Sequence, residues 1–215
     1  LSLMKGIGPV LARNLIAYLC SEKAIFEEKK HAFEKIPGIG TNLSTLLKKM
    51  DKPALLKRAE TEVAFIEKHK ITTHFFTDEN YPRRLSFCED APLFIFSKGN
   101  VDFDTSKIIG IVGTRRPSDY GLSLCEKLIT DLAQRHPNTI IVSGLAYGID
   151  ICAHRAALRN NLPTMAVLAH GLDRIYPGTH SQTAREIMNN GALVTEFMTG
   201  TNPDRQNFVK RNRIV

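Results

Sequence analysis

The stretch Ile108-Ile109-Gly110-Ile111-Val112-Gly113-Thr114-Arg115-Arg116-Pro117-Ser118-Asp119-Tyr120-Gly121 decides how the chain is read. It opens on β-branched apolar residues, breaks at Gly113, carries two adjacent arginines and runs into the apolar-periodic segment Leu122, Leu124, Leu128, Ile129, Leu132. That is the pattern of a buried strand, a phosphate-sized loop and a helix. A loop at the carboxyl end of a parallel strand turns backbone N–H groups and the positive end of a helix toward solvent, which favours an anion. Arg115 and Arg116 add full charges. The loop has neither the second close glycine of a dinucleotide fingerprint nor the Gly-Lys-Ser/Thr of a Walker A loop, so the anion is not a dinucleotide held in the usual way.

Outward from this stretch the pattern alternates. Strands are predicted at 108–112, 139–142, 164–168 and 193–197, helices at 121–135, 149–160 and 179–189, and a further helix start near Asn207. Such alternation with short loops specifies a parallel sheet covered on both faces. A doubly wound order is expected, with the first three strands running 3-2-1 and the fourth crossing to the far side of the first. Its switch point would bring the Arg115–Arg116 loop against the basic tail Arg205 to Arg213. Two more strands, 71–77 and 93–97, flank a turn and short helix around Tyr81 to Leu85 and are expected at or near a sheet edge.

Residues 1–70 read as helices only. Gly6-Ile7-Gly8-Pro9 precedes one helix at 10–20, and Pro37-Gly38-Ile39-Gly40 precedes another at 42–50. These are either paired helix-hairpin-helix elements, whose glycines admit a DNA phosphate to backbone amides, or tight turns of a small bundle. A longer connecting helix at 52–70 carries Leu55, Leu56, Ala59, Val63 and Ile66 on one side.

Composition narrows the partner. The formal net charge is +7, and residues 1–70 hold 13 Lys+Arg against 8 Asp+Glu while 71–215 hold 16 against 14. A basic excess favours a polyanion. Cys20, Cys88, Cys125 and Cys152 form no C-x-x-C pair, so no metal site is expected; each reads as a small core residue with a reduced thiol. No apolar run approaches the roughly 18 residues of a membrane span, and no signal sequence is evident, so a soluble, cytoplasmic protein is expected.

Several loops carry chemistry. Arg205, Lys210, Arg211 and Arg213 surround Phe208, the combination of phosphate-pairing cations and a base-stacking ring that a single nucleic-acid strand needs; a solvated helix start with Phe208 in the core would look the same. Ser143-Gly144-Leu145-Ala146-Tyr147-Gly148-Ile149-Asp150 offers a hydroxyl and loop amides to an anion. Asp150 and His154 stand at i, i+4 and read either as an acid–base pair or, more commonly, as a capping Asp beside a neighbouring His. The loop with His170, Asp173, Arg174 and Tyr176 lacks a nucleophile elbow, metal cluster or paired carboxylates, so these residues read as loop-fixing, with Asp173 anchoring an arginine.

Together, Val112-Gly113-Thr114-Arg115-Arg116-Pro117, the Ser143 to Asp150 segment, Gly171-Leu172-Asp173-Arg174-Ile175-Tyr176-Pro177 and Arg211-Asn212-Arg213-Ile214 resemble the DNA-processing protein A (DprA/Smf) family. The resemblance runs from about Tyr81 to Val215; residues 1–70 resemble more loosely its helix-hairpin-helix or sterile-alpha-motif-like domain. It implies an α/β, Rossmann-like, doubly wound and mostly parallel sheet over 71–215, preceded by a small all-α domain over 1–70. It further implies a non-enzymatic single-stranded DNA binder of natural transformation, without cofactor, that protects incoming DNA, helps load the RecA recombinase and forms homodimers. The implied DNA contacts are Gly113, Thr114, Arg115, Arg116, Ser143, Gly144, Gly148, Phe208, Lys210, Arg211 and Arg213, with Arg115 and Lys210 on phosphates and Phe208 on a base. Asp150, His154, Asp173, Tyr176 and Asn212 structure the loops. Since the family's domain continues past the Arg-Asn-Arg motif, the chain is expected to be a fragment whose large domain is incomplete at its C-terminus.

Two rivals belong to other classes. One is a nucleotide-phosphate enzyme of the lysine-decarboxylase-like phosphoribohydrolase type, which wants a Pro-Gly-Gly-x-Gly-Thr loop; the nearest stretch, Tyr176-Pro177-Gly178-Thr179, lacks it. The other is duplex binding by the N-terminal hairpins alone.

Overall fold

A computed structural model describes residues 2–4, 6–19, 23, 45 and 49–215. Helix α1 (Pro9–Leu19) follows the Gly6 to Gly8 turn, and α2 (Lys52–His69) starts at Asp51, whose carboxylate accepts from the Ala54 N–H. The second glycine turn, Pro37 to Gly40, and Cys20 lie outside the described residues. Strands β1 (Thr72–Phe75) and β2 (Phe94–Gly99) flank the short helix α3 (Arg83–Ser86). Then β3 (Ile108–Gly110), α4 (Asp119–Arg135), β4 (Ile140–Ser143), α5 (Ile149–Arg159), β5 (Thr164–Val167), α6 (Ser181–Asn189), β6 (Gly191–Thr195) and α7 (Arg205–Arg211) alternate as expected.

The six strands run in the order β1-β2-β6-β5-β4-β3. Pairs β3–β4, β4–β5 and β5–β6 are parallel, whereas β2 joins β6 and β1 joins β2 antiparallel. The class is therefore a mostly parallel, Rossmann-like α/β sheet with β1 and β2 at one edge. The fourth parallel strand does not cross to the far side of the first. It extends the row beyond β5, because each crossover steps in the same direction and the antiparallel β2 then takes the flank of β6.

Three successive crossovers in one direction place their helices on one face. There, Ile141 of β4 packs with Cys125, Ile129, Cys152 and Ala156 of α4 and α5, and Ala166 and Leu193 pack with Ile151, Ala184 and Ile187. The alternate residues Ile140, Val142, Met165, Val167, Ala192 and Val194 face the other way. They are covered by Tyr81, Leu85, Phe103, Ile214 and Val215 rather than by a layer of long helices. Both sheet faces are thus buried, which is why the strands read as unbroken apolar runs.

Two readings of side chains are corrected. On α2, Leu56 and Val63 are half exposed, while Glu62 is buried: its carboxylate accepts from the Thr199 N–H at 3.0 Å and from the Thr199 hydroxyl, and Arg58 pairs with it at 2.8 Å. Polar anchoring to the segment after β6, absent from the helix's own periodicity, rotates α2 away from the expected stripe. Cys88 is exposed rather than core, since α3 is too short to bury it, whereas Cys125 and Cys152 are buried on facing helices. The N-terminal helix shares a core with the sheet edge, with Met4, Ile7, Ala12 and Leu15 around Leu93 and flanked by Phe75, Phe76 and Phe94.

Candidate nucleic-acid interface

The carboxyl ends of β3, β4 and β5 form one rim, and the chain after β6 doubles back across it. Segment 196–204 carries α7 over the ends of β5 and β4 toward β3, so the Arg115 loop and the basic tail meet across a cleft of about 350 Å³. Gly110, Val112, Gly113, Arg115, Phe208 and Arg211 line it. The cleft expected from a switch point is there, but a returning strap builds it instead.

The loop after β3 is held from behind. The Thr114 carbonyl accepts from the Ile149 N–H at 3.2 Å, and the Thr114 hydroxyl accepts from the Arg116 N–H at 3.2 Å. A Cβ on Gly113 would stand 2.6 Å from the Ile149 side chain. Gly148, at φ +81°, lies against the Thr114 carbonyl where any side chain would collide. These glycines serve close packing of loop on helix rather than approach of a ligand. Ser118 caps α4 by accepting from the Gly121 N–H at 3.2 Å, leaving Arg115 and Arg116 exposed.

The residues expected on DNA separate into two groups. Arg115, exposed, places its guanidinium carbon 5.0 Å from the centroid of the half-buried Phe208 ring, within cation–π reach. Tyr176 also lies beside Phe208, with ring centroids 6.0 Å apart and planes at 59°. Ser143 and Arg211, in contrast, are structural. Ser143 is fully buried and donates to the Ile111 carbonyl at 2.6 Å, so its hydroxyl is not open to an anion. Arg211, 4% exposed, donates to the Val167 carbonyl at the end of β5 and to the Asn212 side chain at 3.2 Å. Gly144 is required there, because a side chain would occupy the guanidinium's place. Burial pulls the Arg211 pKa down, the Asp150 carboxylate supports its charge and Arg115 opposes it. Two arginines against one carboxylate leave the cleft positive. Arg213 is likewise engaged, with Glu196 and with the Asp90 carbonyl.

Lys210 lies across α7 from Arg115. It borders a second cleft, of about 370 Å³, with Ile7, Gly8, Pro9, Glu196 and Arg213. The two cations expected on one path thus face separate depressions. A side chain on Gly8 would meet nothing within 4 Å, so packing does not demand that glycine.

Asp150 and His154 do not pair, either as acid and base or as cap and neighbour. Asp150 accepts from the Ala146 N–H at 3.4 Å. His154, fully buried, reaches Thr164 Oγ1 at 2.7 Å from Nδ1. Since that hydroxyl donates to the Ile141 carbonyl at 2.8 Å, the imidazole Nδ1–H is the donor to it. Burial, with Arg211 next, pulls its pKa down to about 3. His170 is held neutral too, lowered chiefly by burial, with Nδ1 on the Gly171 carbonyl at 2.9 Å and Nε2 accepting from the Tyr176 N–H at 3.2 Å. Asp173 does anchor an arginine: its carboxylate takes Arg174 at 2.9 Å and also accepts from the Gly200 N–H. His180, which sequence reading passed over, donates from Nδ1 to the Leu145 carbonyl at 2.8 Å and underlies the Tyr147 ring at 5.0 Å. Among the described residues, no group of three or more His, Cys, Asp or Glu side chains is placed to hold a metal ion, and no helix is long and apolar enough to cross a membrane.

Residues 72–215 match the family profile described as DNA recombination-mediator protein A. Protein Smf of Synechocystis is 34% identical across the whole chain, which covers 54% of that protein. DNA processing protein DprA of Streptococcus pneumoniae is 38% identical over 69% of the chain and 52% of its own length. The chain therefore spans about half the length of these curated relatives. The X-ray structure of the S. pneumoniae protein superposes with a TM-score of 0.63 at 30% identity, covering 97% of this chain and 74% of that one. DNA processing protein A of Helicobacter pylori, solved for its single-stranded DNA binding mode, superposes with a TM-score of 0.60 at 32% identity, covering 68% and 64%. With two thirds of its length matching one profile, and with the glycine, arginine and aromatic residues of its rim in the order the motifs require, the chain belongs to the DprA/Smf family.

Proposed function

We propose that the chain binds single-stranded DNA without sequence preference, in the cleft between the Arg115 loop and Phe208. The observation that carries this reading is the exposed Arg115 guanidinium 5.0 Å over the Phe208 ring, on a positive cleft. A cation for the phosphodiester and a π-face for the base stand side by side, and neither makes a base-specific hydrogen bond. Thr114 and Arg116 supply further polar and cationic contacts, Lys210 adds positive charge from the neighbouring depression, and Gly113, Gly144 and Gly148 shape the loops behind them. Arg211 and Arg213 contribute field and structure rather than direct phosphate contacts.

In the cell this binding protects DNA entering by natural transformation and presents it to the RecA recombinase, with the protein acting in the cytoplasm as a homodimer. DNA binding rather than catalysis is the activity in this reading, which is supported by the burial of His154 and His170 within the fold, away from solvent on the rim.

Fluorescence anisotropy with a labelled oligo-dT across a salt series tests the reading. Affinity is expected to fall with salt, and Arg115→Ala to weaken binding and flatten the log–log slope by about 0.7, one phosphate's share. A wild-type chain that ignores oligo-dT at low salt would overturn it.

A further inference from the structure

We infer that Tyr176, with Tyr147 beyond it, extends the base-stacking surface past Phe208, so that the cleft takes more than one base of the bound strand. This rests on the single-stranded DNA reading above. Tyr176 is 45% exposed and Tyr147 47% exposed, a large fraction for aromatic side chains in a fold whose sheet is buried on both faces. Each occupies the loop after a parallel strand, Tyr147 after β4 and Tyr176 after β5, on the rim that also carries Arg115. Arg115 lies over Phe208 and Phe208 against Tyr176, while Tyr147 packs on His180, at the end of the turn that Tyr176 begins.

Two geometrical points say what these rings do. A base sandwiched between two rings needs parallel planes two stacking intervals apart, roughly 6.8 Å from the 3.4 Å repeat. Phe208 and Tyr176 are 6.0 Å apart and inclined at 59°, so they do not hold one base between them. Tyr176, half exposed, offers stacking surface of its own beside Phe208. The backbone beneath is fixed in advance, with the Tyr176 N–H bound to His170 Nε2 and the Leu145 carbonyl bound to His180. Two residues after Tyr176 the turn is open to solvent, since a side chain on Gly178 would meet nothing within 4 Å. Rings held on rigid loops lose little freedom when a base stacks on them, as a sequence-tolerant platform requires.

The test compares Tyr176→Ala, Tyr176→Phe and Tyr147→Ala in the full 215-residue chain, using labelled oligo-dT of graded lengths. The expected result is that Tyr176→Ala weakens binding about 5- to 150-fold with an unchanged salt slope, while Tyr176→Phe stays within about twofold of wild type. Tyr147→Ala is expected to lose affinity for longer oligonucleotides and none for the shortest that bind. Photocrosslinking of a halogenated oligonucleotide to the wild-type chain, with adducts expected on Tyr176, gives a readout that requires no substitution. If wild type binds and Arg115→Ala weakens it, but Tyr176→Ala does neither and no adduct forms at Tyr176, the inference fails and the proposed function stands. Equal losses in Tyr176→Ala and Tyr176→Phe would assign the effect to the hydroxyl and also overturn it. Absence of binding by wild type would remove the proposed function itself.

Discussion

The floor and the rim of the cleft are made of similar residues put to opposite uses. On the floor, Arg211, Asp150, Ser143 and Gly144 are buried or filled, and the polar groups find partners within the protein. On the rim, Arg115, Tyr176 and half-buried Phe208 touch one another but leave charge and ring faces to solvent. A basic motif therefore does not act as a unit. Its buried arginine holds strand ends together, while its exposed neighbours keep their charge available. Counting cations overstates the binding surface; burial sorts them.

The largest effect that separates floor from rim belongs to Arg211. Arg211→Ala leaves the Val167 carbonyl and the Asp150 carboxylate without their buried cation, and a loss of about 3–5 kcal/mol in denaturant unfolding is expected. If it unfolds like wild type, the floor is not structural. Gly148→Ala comes next. A left-handed residue costs roughly 1–2 kcal/mol in a non-glycine, and the collision with Thr114 adds to it, so a destabilisation of about 2 kcal/mol or more is expected together with a displaced Arg115 loop. Acid should act on the floor as well. His154 titrates near 3 when folded, below its ordinary value of 6.5, so the folded state excludes a proton that the unfolded chain binds. Stability is complete above about pH 6.5 and declines as pH falls from there toward 3, by up to about 1.4 kcal/mol per unit, with His170 acting in the same direction. Urea midpoints taken between pH 7 and 5 read that slope; a flat profile would mean that the histidines accept protons where they sit. The smallest expected change is in the stability of the rim, where Arg115→Ala should shift unfolding by no more than about 0.5 kcal/mol while weakening oligo-dT binding.

Much of this was legible in the chain. The apolar runs and glycine breaks gave every element from β1 to α7, because strands buried on both faces and short helices leave strong local patterns. Strand order was not legible. Whether β6 pairs with β5 or crosses to β3 depends on the antiparallel strand that takes its other side, and no local residue encodes that pairing. Within the site, residue identity named Arg115 and Phe208, and their meeting followed even though the expected topology differed. What escaped was the sorting of serine and arginines, since Ser143 and Arg211 look like ligand groups until the Ile111 and Val167 carbonyls are found against them. The buried Glu62 escaped for the same reason: its partner, Thr199, is remote in sequence.

The strap that carries α7 back over the sheet also makes the cleft a long-range feature of the chain. Arg115 follows the first parallel strand and Phe208 comes after the last, so nearly the whole α/β chain intervenes between the two halves of the cleft. Local pairing of β3 with β4 brings neither to the other. They meet only where β6 is docked and the segment anchored by Asp173, Arg174 and Glu62 is closed over it, which makes the site a feature of high contact order. Partly assembled chains would carry the exposed arginines without the aromatic face beside them, and could attract a polyanion without stacking its bases.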